Sequence, residues 1–223
     1  MCGRFTLRTP AHRLAEAFGV RELPNLRPRY NIAPSQDVVA IRAADDGTRE
    51  LVLLRWGLIP FWAKEAAIGN RMINARAETV AEKPAFRAAF RRRRCLVAAD
   101  GFYEWQNTDG GAKQPYFIRL ADDAPFAIAG LWERWSAPDG AEVESCTLIT
   151  TDANDLLKPI HHRMPVILAP AAHDAWLDPD EPPPAALESL LRPYPADEMV
   201  AYAIGPLVND PRTDEPACIA PLG

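Results

Sequence analysis

A succession of strand-like segments in the middle of this 223-residue chain restricts its fold more than any other feature. Between residues 95 and 150, short apolar segments typical of strands follow one another, separated by turn signals such as Asp109-Gly110-Gly111. These predicted strands are Cys95–Ala99, Gly101–Trp105, Pro115–Leu120, Phe126–Trp132 and Glu142–Thr150. Helical segments are inserted between strands rather than alternating with them regularly. This order favours an α+β fold with a mainly antiparallel, barrel-like sheet and peripheral helices over a doubly wound parallel sheet.

The flanking segments complete the predicted organisation. Further strands are predicted at Gly3–Arg8, Asp37–Arg42, Glu50–Trp56 and Pro165–Leu168. Helices are predicted from the N-cap Thr9 to near Gly19, and over Thr79–Arg93, Ala153–Leu157 and Pro170–Leu177, while Leu23–Pro34 and Pro179–Pro184 read as loops. With 48% hydrophobic residues the chain can bury a sizeable core. We expect a single domain over residues 1–223, with the acidic, proline-rich part from about residue 170 packed on it.

The charge distribution is polarised along the chain, although the net charge is only −5. Residues 71–94 contain seven arginines and one lysine against two glutamates, a local charge of +6. Residues 171–223 contain two arginines against ten acidic residues, a local charge of −8. The basic middle indicates a surface for a polyanion. The alternative is that Arg91–Arg94 caps the C-terminus of a helix, where cations are favoured.

No targeting or membrane segment is evident in the sequence. The first twenty residues carry several charges, so they lack the apolar core of a signal peptide. No apolar run approaches the ~18 residues that a membrane helix needs. We therefore expect a soluble, cytoplasmic protein with no membrane contact.

The four cysteines are far apart, at positions 2, 95, 146 and 218, and form no CxxC pair. This spacing predicts neither a zinc site nor any other metal site, and Cys95, Cys146 and Cys218 are expected as small buried apolar residues. Cys2 differs because chain termini are usually poorly ordered. If Met1 is removed, Cys2 carries a free amine and a thiol two carbons apart.

Several polar residues stand in contexts that indicate chemistry. Glu104 lies between aromatic residues, where an apolar environment would raise its pKa towards neutrality, and His161 titrates near neutrality in any case. Asn74 could orient a nucleophile, while Arg76 and Arg163 could hold phosphates. Each residue alone also fits a structural role, such as a surface ion pair or a buried hydrogen bond.

Six motifs in a fixed order make the combination specific. They are MCGRF at the start, NIAPSQ at 31–36, WGLIPFW at 56–62, NARAET at 74–79, GFYEW at 101–105 and HHRMP at 161–165. In this order they resemble the SRAP family (SOS-response-associated peptidase fold), the abasic-site shielding proteins. The resemblance implies a protein that binds single-stranded DNA and crosslinks covalently to abasic sites in the DNA damage response, as a monomer that is nucleoid-associated when bound.

The resemblance also assigns roles to residues of this chain. Catalytic roles fall on Cys2, exposed by loss of Met1, and on Asn74, Glu104 and His161. DNA contacts fall on Arg4, Arg76, Thr150 and Arg163, and Trp62 is implied as an aromatic wedge beside the lesion. Family members often carry a second aromatic next to that wedge, where this chain has Ala63, so the wedge is weaker or uses Phe61. No cofactor and no metal are implied.

The chemistry implied for Cys2 explains why a cysteine stands second. An α-amine has a pKa of about 7.7–8.0, so that a useful fraction is neutral and condenses with the aldehyde of an opened abasic sugar. The thiol then closes a five-membered thiazolidine. Three rival functions remain open from the residues: a glutamine amidotransferase, a thiol peptidase that uses Cys2 and His161, and a non-catalytic single-strand binder.

Overall fold

The computed structural model describes residues 2–21, 26–44 and 46–222. Its strands are β1 Phe5–Leu7, β2 Arg29–Ile32, β3 Asp37–Ala43, β4 Arg49–Trp56, β5 Asn74–Arg76, β6 Arg94–Ala99, β7 Gly101–Asn107, β8 Lys113–Leu120, β9 Phe126–Ser136, β10 Glu142–Asp152, β11 Arg163–Pro165, β12 Ile167–Leu168 and β13 Met199–Ala203. Its α-helices are α1 Ala11–Phe18, α2 Arg87–Arg92, α3 His173–Leu177 and α4 Pro184–Glu188. Short 3-10 helices lie at Ala66–Arg71, Ala77–Thr79, Pro170–Ala172, Ala196–Glu198, Pro206–Asn209 and Pro216–Ile219. None of the helices within the described ranges is long and apolar enough to span a membrane.

Five strands close into a barrel at the centre of the molecule. Their order is β10-β4-β3-β6-β9, and the long strands β9 and β10 pair with each other to close the ring. The pairing of β4 with β10 is parallel, and the other pairs of the ring are antiparallel. Strands β5, β11 and β12 extend this sheet beyond the ring. The predicted α+β class with a mainly antiparallel, barrel-like sheet is confirmed.

A second, antiparallel sheet carries the N-terminal strand in its interior. Its order is β13-β8-β7-β1-β2, so β1 is paired on both sides. Gly101 begins β7 at a close approach, because an added Cβ would lie 2.2 Å from the ring of Phe117. The two sheets share an apolar core in which the rings of Phe5 and Trp56 pack 5.1 Å apart.

The C-terminal part of the chain contributes to both apolar clusters. Leu187, Leu191 and Met199 are buried in the main core. Ile204 and Val208 belong to a smaller cluster, whose other buried members are Tyr103 and Phe117. Residues after 170 therefore pack against β8 and against β7, the strand that pairs with the N-terminal strand.

Two helix predictions were partly wrong, and the hydrogen bonds explain why. Thr9 does not cap α1, because its hydroxyl donates to the Asp100 carboxylate at 2.8 Å, and Pro10 occupies the cap position without a side-chain bond. The helix predicted over Thr79–Arg93 forms only as α2, Arg87–Arg92. Pro84 lacks an N–H and disfavours helical backbone at the preceding residue, so the segment before α2 consists of turns.

Two further predictions of local structure also needed correction. The loop predicted over Leu23–Pro34 contains strand β2, Arg29–Ile32, while residues 23–25 of it lie outside the described residues. The helix predicted over Ala153–Leu157 is a series of turns, because Asn154 Oδ1 accepts the Leu157 N–H at 3.1 Å and its amide donates to Tyr194 O at 2.7 Å. The hairpin of β3 and β4 is confirmed, although Asp45 of its turn lies outside the described residues.

The arginine run at the end of α2 is divided between interior and surface. Arg94 is buried and donates to the carbonyls of Phe90 at 2.9 Å and of Arg91, at the C-terminus of α2. It also donates to Trp176 O at 2.7 Å. The alternative interpretation, that the run caps a helix C-terminus, thus holds for Arg94. Cys95, Cys146 and Cys218 are buried, as predicted.

Candidate active site

The N-terminal strand carries Cys2 into the interior of the protein. Cys2 is 0% exposed and belongs to the main apolar core. Three residues later, Phe5 of β1 pairs with Phe102 of β7 and with Ile32 of β2. A terminus of this kind is ordered because it forms a central strand.

The buried carboxylate of Asp100 fixes this strand from the end of β6. Its Oδ1 accepts the Thr6 hydroxyl at 2.6 Å, and its Oδ2 accepts the backbone N–H groups of Arg8 and Thr9 at 2.6 and 2.7 Å. Together with the Thr9 hydroxyl, four donors of the N-terminal segment converge on one side chain. Asp100 directly precedes β7, so the same residue ties β1 to the strand that bears Glu104.

Asn74 holds the backbone of Cys2. Asn74 begins β5, which pairs in parallel with β10. Its Nδ2 donates to the carbonyl oxygen of Cys2 at 2.8 Å. Its Oδ1 is buried and has no hydrogen-bond partner within the described residues, which leaves an acceptor beside Cys2.

Glu104 and His161 form the second pair of the site. Glu104 lies in β7 and is 2% exposed, and its Oε2 lies 3.9 Å from His161 Nδ1. Burial raises the pKa of the Glu104 carboxyl from 4.5 to about 7. Such a group can both accept and donate a proton near neutral pH.

The backbone of Arg163 holds the ring of His161. The Arg163 N–H donates to His161 Nδ1 at 3.0 Å, and the Arg163 carbonyl oxygen lies 3.2 Å from the same nitrogen. Burial lowers the pKa of His161, so the ring is neutral at pH 7. His162 stacks on His161 with the ring centroids 4.4 Å apart. A neutral imidazole has one N–H donor and one acceptor nitrogen, so His161 can serve in either role.

The thiol of Cys2 is protonated at neutral pH. Burial and, next, the negative charge of Glu104 raise the pKa of this thiol well above its ordinary value. Its Sγ lies 3.9 Å from the carbonyl oxygen of Arg4, the acceptor of a weak S–H bond. A buried neutral thiol is a poor nucleophile unless a base removes its proton during the attack.

An open depression gives access to the acid–base pair. It has a volume of about 470 Å³ and is lined by Glu104, Trp105, Lys113, His161 and Asn209. Within the described residues, no group of three or more histidines, cysteines or acidic residues is arranged as a metal site.

Comparison with known proteins identifies the family of this chain. The family model described as SOS response associated peptidase (SRAP) matches residues 1–211. The chain belongs to the SRAP family. It is 47% identical over 222 residues to abasic site processing protein YoqW of Bacillus subtilis (strain 168), covering 98% of this chain and 99% of that protein. It is 34% identical over 265 residues to abasic site processing protein HMCES of Gallus gallus, covering 100% of this chain and 78% of that one.

A solved structure extends the SRAP likeness to three dimensions. The crystal structure of a protein from Bacteroides thetaiotaomicron superimposes with a TM-score of 0.89 at 31% sequence identity. The match covers 99% of this chain and 100% of that chain. The resemblance drawn from the six motifs is thereby confirmed, as is the fold.

Two SRAP motif residues, Arg4 and Asn31, connect the site to the C-terminal segment. Arg4 Nη1 donates to Asn31 Oδ1 at 2.9 Å and to Val208 O at 2.7 Å. Asn31 Nδ2 in turn donates to Thr213 O at 2.7 Å. These bonds give a structural role to Asn31 of the NIAPSQ motif, whose role the sequence left open, and they hold the segment that supplies Asn209.

Three residues that line the depression had no role in the sequence analysis. Asn209 accepts a hydrogen bond on Oδ1 from Trp105 Nε1 at 2.8 Å, and Lys113 enters from the start of β8. Trp105 is part of the GFYEW motif and could have been singled out. Asn209 comes from the acidic C-terminal part, where no motif pointed to it.

The predicted DNA contacts differ in what their side chains already bind. Arg163 Nη1 and Nη2 donate to the two oxygens of Glu78 at 2.8 and 2.9 Å, and Nη1 donates to Asp152 at 2.7 Å. The Thr150 hydroxyl is buried and donates to Ala75 O at 3.3 Å. Arg76 is exposed and makes no ion pair or side-chain hydrogen bond within the described residues. Among these three residues, only Arg76 therefore has an exposed guanidinium without an ion-pair partner in the described part of the chain.

Two aromatic side chains project from the segment after Gly57. Trp62 is 49% exposed and Phe61 is 60% exposed. Gly57 has a φ of +127° and an added Cβ there would lie 2.7 Å from Gly69 O, so this turn requires glycine. Trp135 Nε1 donates to Ala63 O at 2.7 Å and fixes the segment against β9. An exposed, anchored tryptophan is compatible with a wedge against bases.

Proposed function

We propose that this protein processes abasic sites in single-stranded DNA by crosslinking to them through Cys2 after removal of Met1. The observation that carries the proposal is the buried Cys2, held by Asn74 and electrostatically coupled to a carboxyl group with a pKa of about 7. The names of the relatives, abasic site processing proteins at 34–47% identity, support the substrate class.

The reaction begins at the amine rather than the thiol. The α-amine of Cys2 adds to the aldehyde of the opened abasic sugar, and the resulting carbinolamine loses water to give a Schiff base. The sulfur then adds to the same carbon while the thiol proton moves to the nitrogen. The product is a five-membered thiazolidine, formed with the net loss of one water. A thiol that stays neutral until this step cannot react prematurely.

Glu104 is the proton carrier of these steps. Its carboxylate accepts a proton from the attacking amine and returns it to the departing water. A carboxyl group with an ordinary pKa would be fully ionised at pH 7 and could not return the proton as readily. The apolar environment that raises the pKa to about 7 thus matches the group to its task.

His161 acts on the sugar. Its Nε2–H donor can hydrogen-bond the ring oxygen of the closed sugar and assist opening to the aldehyde. This role uses the tautomer in which Nδ1 accepts the Arg163 N–H. Asn74 positions the Cys2 backbone, and its Oδ1 is an acceptor for the amine or for a substrate hydroxyl.

A single strand fits the surface around the site. Arg76 offers a cation for a phosphate, and the exposed Trp62 can stack on an unpaired base. A duplex would have to unstack before a base could contact Trp62. Arg4, Thr150 and Arg163 are engaged within the protein and in this proposal act mainly by shaping the path. In this proposal the protein acts as a monomer and is associated with the nucleoid when it is bound to such DNA.

The thiol peptidase is the rival function that the geometry disfavours. A cysteine protease needs a thiolate, stabilised by a neighbouring histidine. Here the pKa of the thiol is raised, and the titratable neighbour of His161 is Glu104 at 3.9 Å. Membership in the SRAP family also removes the motif argument for a glutamine amidotransferase. A non-catalytic binder would keep its function in the Cys2→Ala variant.

The test is an intact-mass measurement under denaturing conditions. The purified protein, with loss of Met1 verified, is incubated with a single-stranded oligonucleotide that carries one abasic site. We expect a mass equal to protein plus oligonucleotide minus one water, stable without borohydride. Cys2→Ala should abolish the adduct, whereas Cys218→Ser, a change at another buried cysteine, should retain it. A wild-type protein without Met1 that forms no adduct would overturn the proposal.

A further inference from the structure

The basic segment 71–94 is only partly available to a ligand. Arg94 is used inside the protein, Arg93 Nη2 pairs with Glu133 at 2.7 Å, and Arg92 Nε pairs with Glu181 at 2.6 Å. Arg87 and Arg91 are exposed and make no ion pair or side-chain hydrogen bond within the described residues. Of the arginines on α2, Arg87 and Arg91 are thus available to bind a ligand.

These two arginines border a groove that also contains an aromatic ring. The α2 groove has a volume of about 610 Å³, and its lining includes Phe61, Arg87, Arg91, Arg93 and Glu133. Glu133 is neutralised by Arg93, so the open charge of the groove is positive. Arg87 and Arg91 are four residues apart on one helix and therefore lie on the same face.

Phe61 links the α2 groove to Trp62, the aromatic wedge of the proposed function. It directly precedes Trp62, and both rings are exposed, but Phe61 faces the groove on α2. A strand that meets Trp62 at the lesion would therefore find a second aromatic ring and two cations next along its path. An exposed aromatic beside a row of cations is the usual platform for unpaired nucleotides.

We propose that the α2 groove is a second subsite, which binds the single strand on one side of the abasic site. Arg87 and Arg91 contact consecutive phosphates, and Phe61 stacks on an unpaired base. The inference rests on the proposed function, since it places the flank of the same strand. It goes beyond that function because it predicts that the affinity for DNA depends on the length of the strand and on the side of the abasic site to which the strand extends. The crosslinking residues alone would not produce this dependence. An acidic peptide would use the cations but would gain little from the ring.

The test compares oligonucleotides in a Cys2→Ala background, where binding is reversible. Each carries one abasic site, flanked by two nucleotides on both sides or extended by ten on the 5′ side only or the 3′ side only. Fluorescence anisotropy gives the ratio of the dissociation constants for short and extended strands. We expect one of the two extensions to tighten binding and the Arg87→Gln/Arg91→Gln variant to remove that gain. The salt dependence of the extended strand should also fall by about 1.4 log units per log unit of salt, about 0.7 for each lost phosphate contact.

Phe61→Ala separates stacking from charge. It should weaken the favoured extended strand roughly fivefold or more, and it should have no such effect when the extension consists of abasic spacers. Arg13→Gln, a change at an exposed arginine on α1 in a different depression, is the matched control and should change neither ratio. The inference would be overturned if the variants lost affinity equally for the 5′ and 3′ extensions. It would also be overturned if the ratio of the dissociation constants for short and extended strands were unchanged in the Arg87→Gln/Arg91→Gln variant.

The outcome is independent of the crosslinking result. The wild-type protein could form the adduct while the ratio of dissociation constants for short and extended strands is unchanged in the Arg87→Gln/Arg91→Gln variant. In that case only the α2 groove proposal is lost. If no adduct forms but one extension still responds, the groove binds single strands and the proposed reaction is lost. Binding of an acidic peptide that competes as well as DNA, and that ignores Phe61→Ala, would also overturn the inference.

Discussion

The side-chain amide of Asn74 donates a hydrogen bond to the backbone carbonyl of Cys2 at a distance of 2.8 Å. This bond joins the N-terminal segment to β5, which belongs to the sheet of the barrel rather than to the sheet that contains β1. Cys2 is therefore held from both sheets, by the pairing of β1 on one side and by Asn74 on the other. Its amine can be positioned without a direct contact to the nitrogen.

The first prediction concerns this bond. Asn74→Ala removes one hydrogen bond and should slow crosslinking about three- to tenfold at saturating DNA. Asn74→Asp should be slower still, because a carboxylate would face the carbonyl oxygen of Cys2. Single-turnover rates from gels under denaturing conditions measure the effect. An Asn74→Asp protein as fast as the wild type would show that the contact has no role in the reaction.

The pH dependence of the rate should report Glu104. The carboxylate form accepts the proton, so the rate should rise with pH through the pKa of about 7. A second rise belongs to the α-amine, whose ordinary pKa in peptides is about 7.7–8.0. Glu104→Gln should lower the rate at every pH and keep only the second rise. Initial rates between about pH 5.5 and about pH 9 would show this, and an unchanged profile in the variant would contradict the assignment.

The same residue should reduce the stability of the protein at high pH. The folded state holds the Glu104 proton up to pH about 7, whereas the unfolded state releases it near 4.5. Between these values the folded state binds more protons, so the free energy of unfolding falls as pH rises. Glu104→Gln should therefore be more stable than the wild type at pH about 8, by up to about 3 kcal/mol. Below pH 4.5 this difference should vanish.

Urea denaturation at the two pH values measures that difference. Glu142→Gln, which changes an exposed glutamate of β10, is the control and should alter stability by less than about 0.5 kcal/mol at either pH. A Glu104→Gln protein less stable than the wild type at high pH would mean that the carboxylate is better paired than its raised pKa indicates.

Asp100 should matter more for stability than for chemistry. Asp100→Ala would leave the buried hydroxyl of Thr6 and the partly buried N–H groups of Arg8 and Thr9 without their acceptor, at a cost of about 3 kcal/mol in the free energy of unfolding. Asp139→Ala removes an aspartate from an exposed turn and should cost less than about 0.5 kcal/mol. Equal denaturation midpoints for the two variants would show that Asp100 does not anchor β1.

The sequence allowed the strands and the motif residues to be identified, because both depend on local patterns. The strand pair around Asp46-Gly47 and the hairpin at Gly110-Gly111 follow from alternation and turn chemistry. The burial of Cys2 could not be predicted in this way. It depends on pairing of β1 with β7, about a hundred residues later, and on a carboxylate, Asp100, that lies in no quoted motif.

The role of the C-terminal part was also beyond local patterns. Its acidic and proline-rich composition predicted only a part that packs on the domain, yet Val208 and Thr213 supply backbone carbonyls to the network of Arg4 and Asn31. Backbone acceptors leave no trace in side-chain composition. In contrast, the prediction of one long helix over Thr79–Arg93 was avoidable, since Pro84 already indicated a break in the helix.

The final prediction separates the two arginines that the family resemblance treats alike. Arg76 is exposed without a partner in the described chain, so Arg76→Gln should reduce the salt dependence of DNA affinity by about 0.7 log units per log unit of salt. Arg163 is held by Glu78, whose pKa it lowers, and by Asp152. Arg163→Gln should therefore leave the salt dependence unchanged and instead reduce the free energy of unfolding by about 2 kcal/mol. Anisotropy titrations in the Cys2→Ala background and urea denaturation measure the two effects, with exposed Arg134→Gln as control. A salt dependence that falls equally in both variants would mean that Arg163 leaves its carboxylates to bind a phosphate.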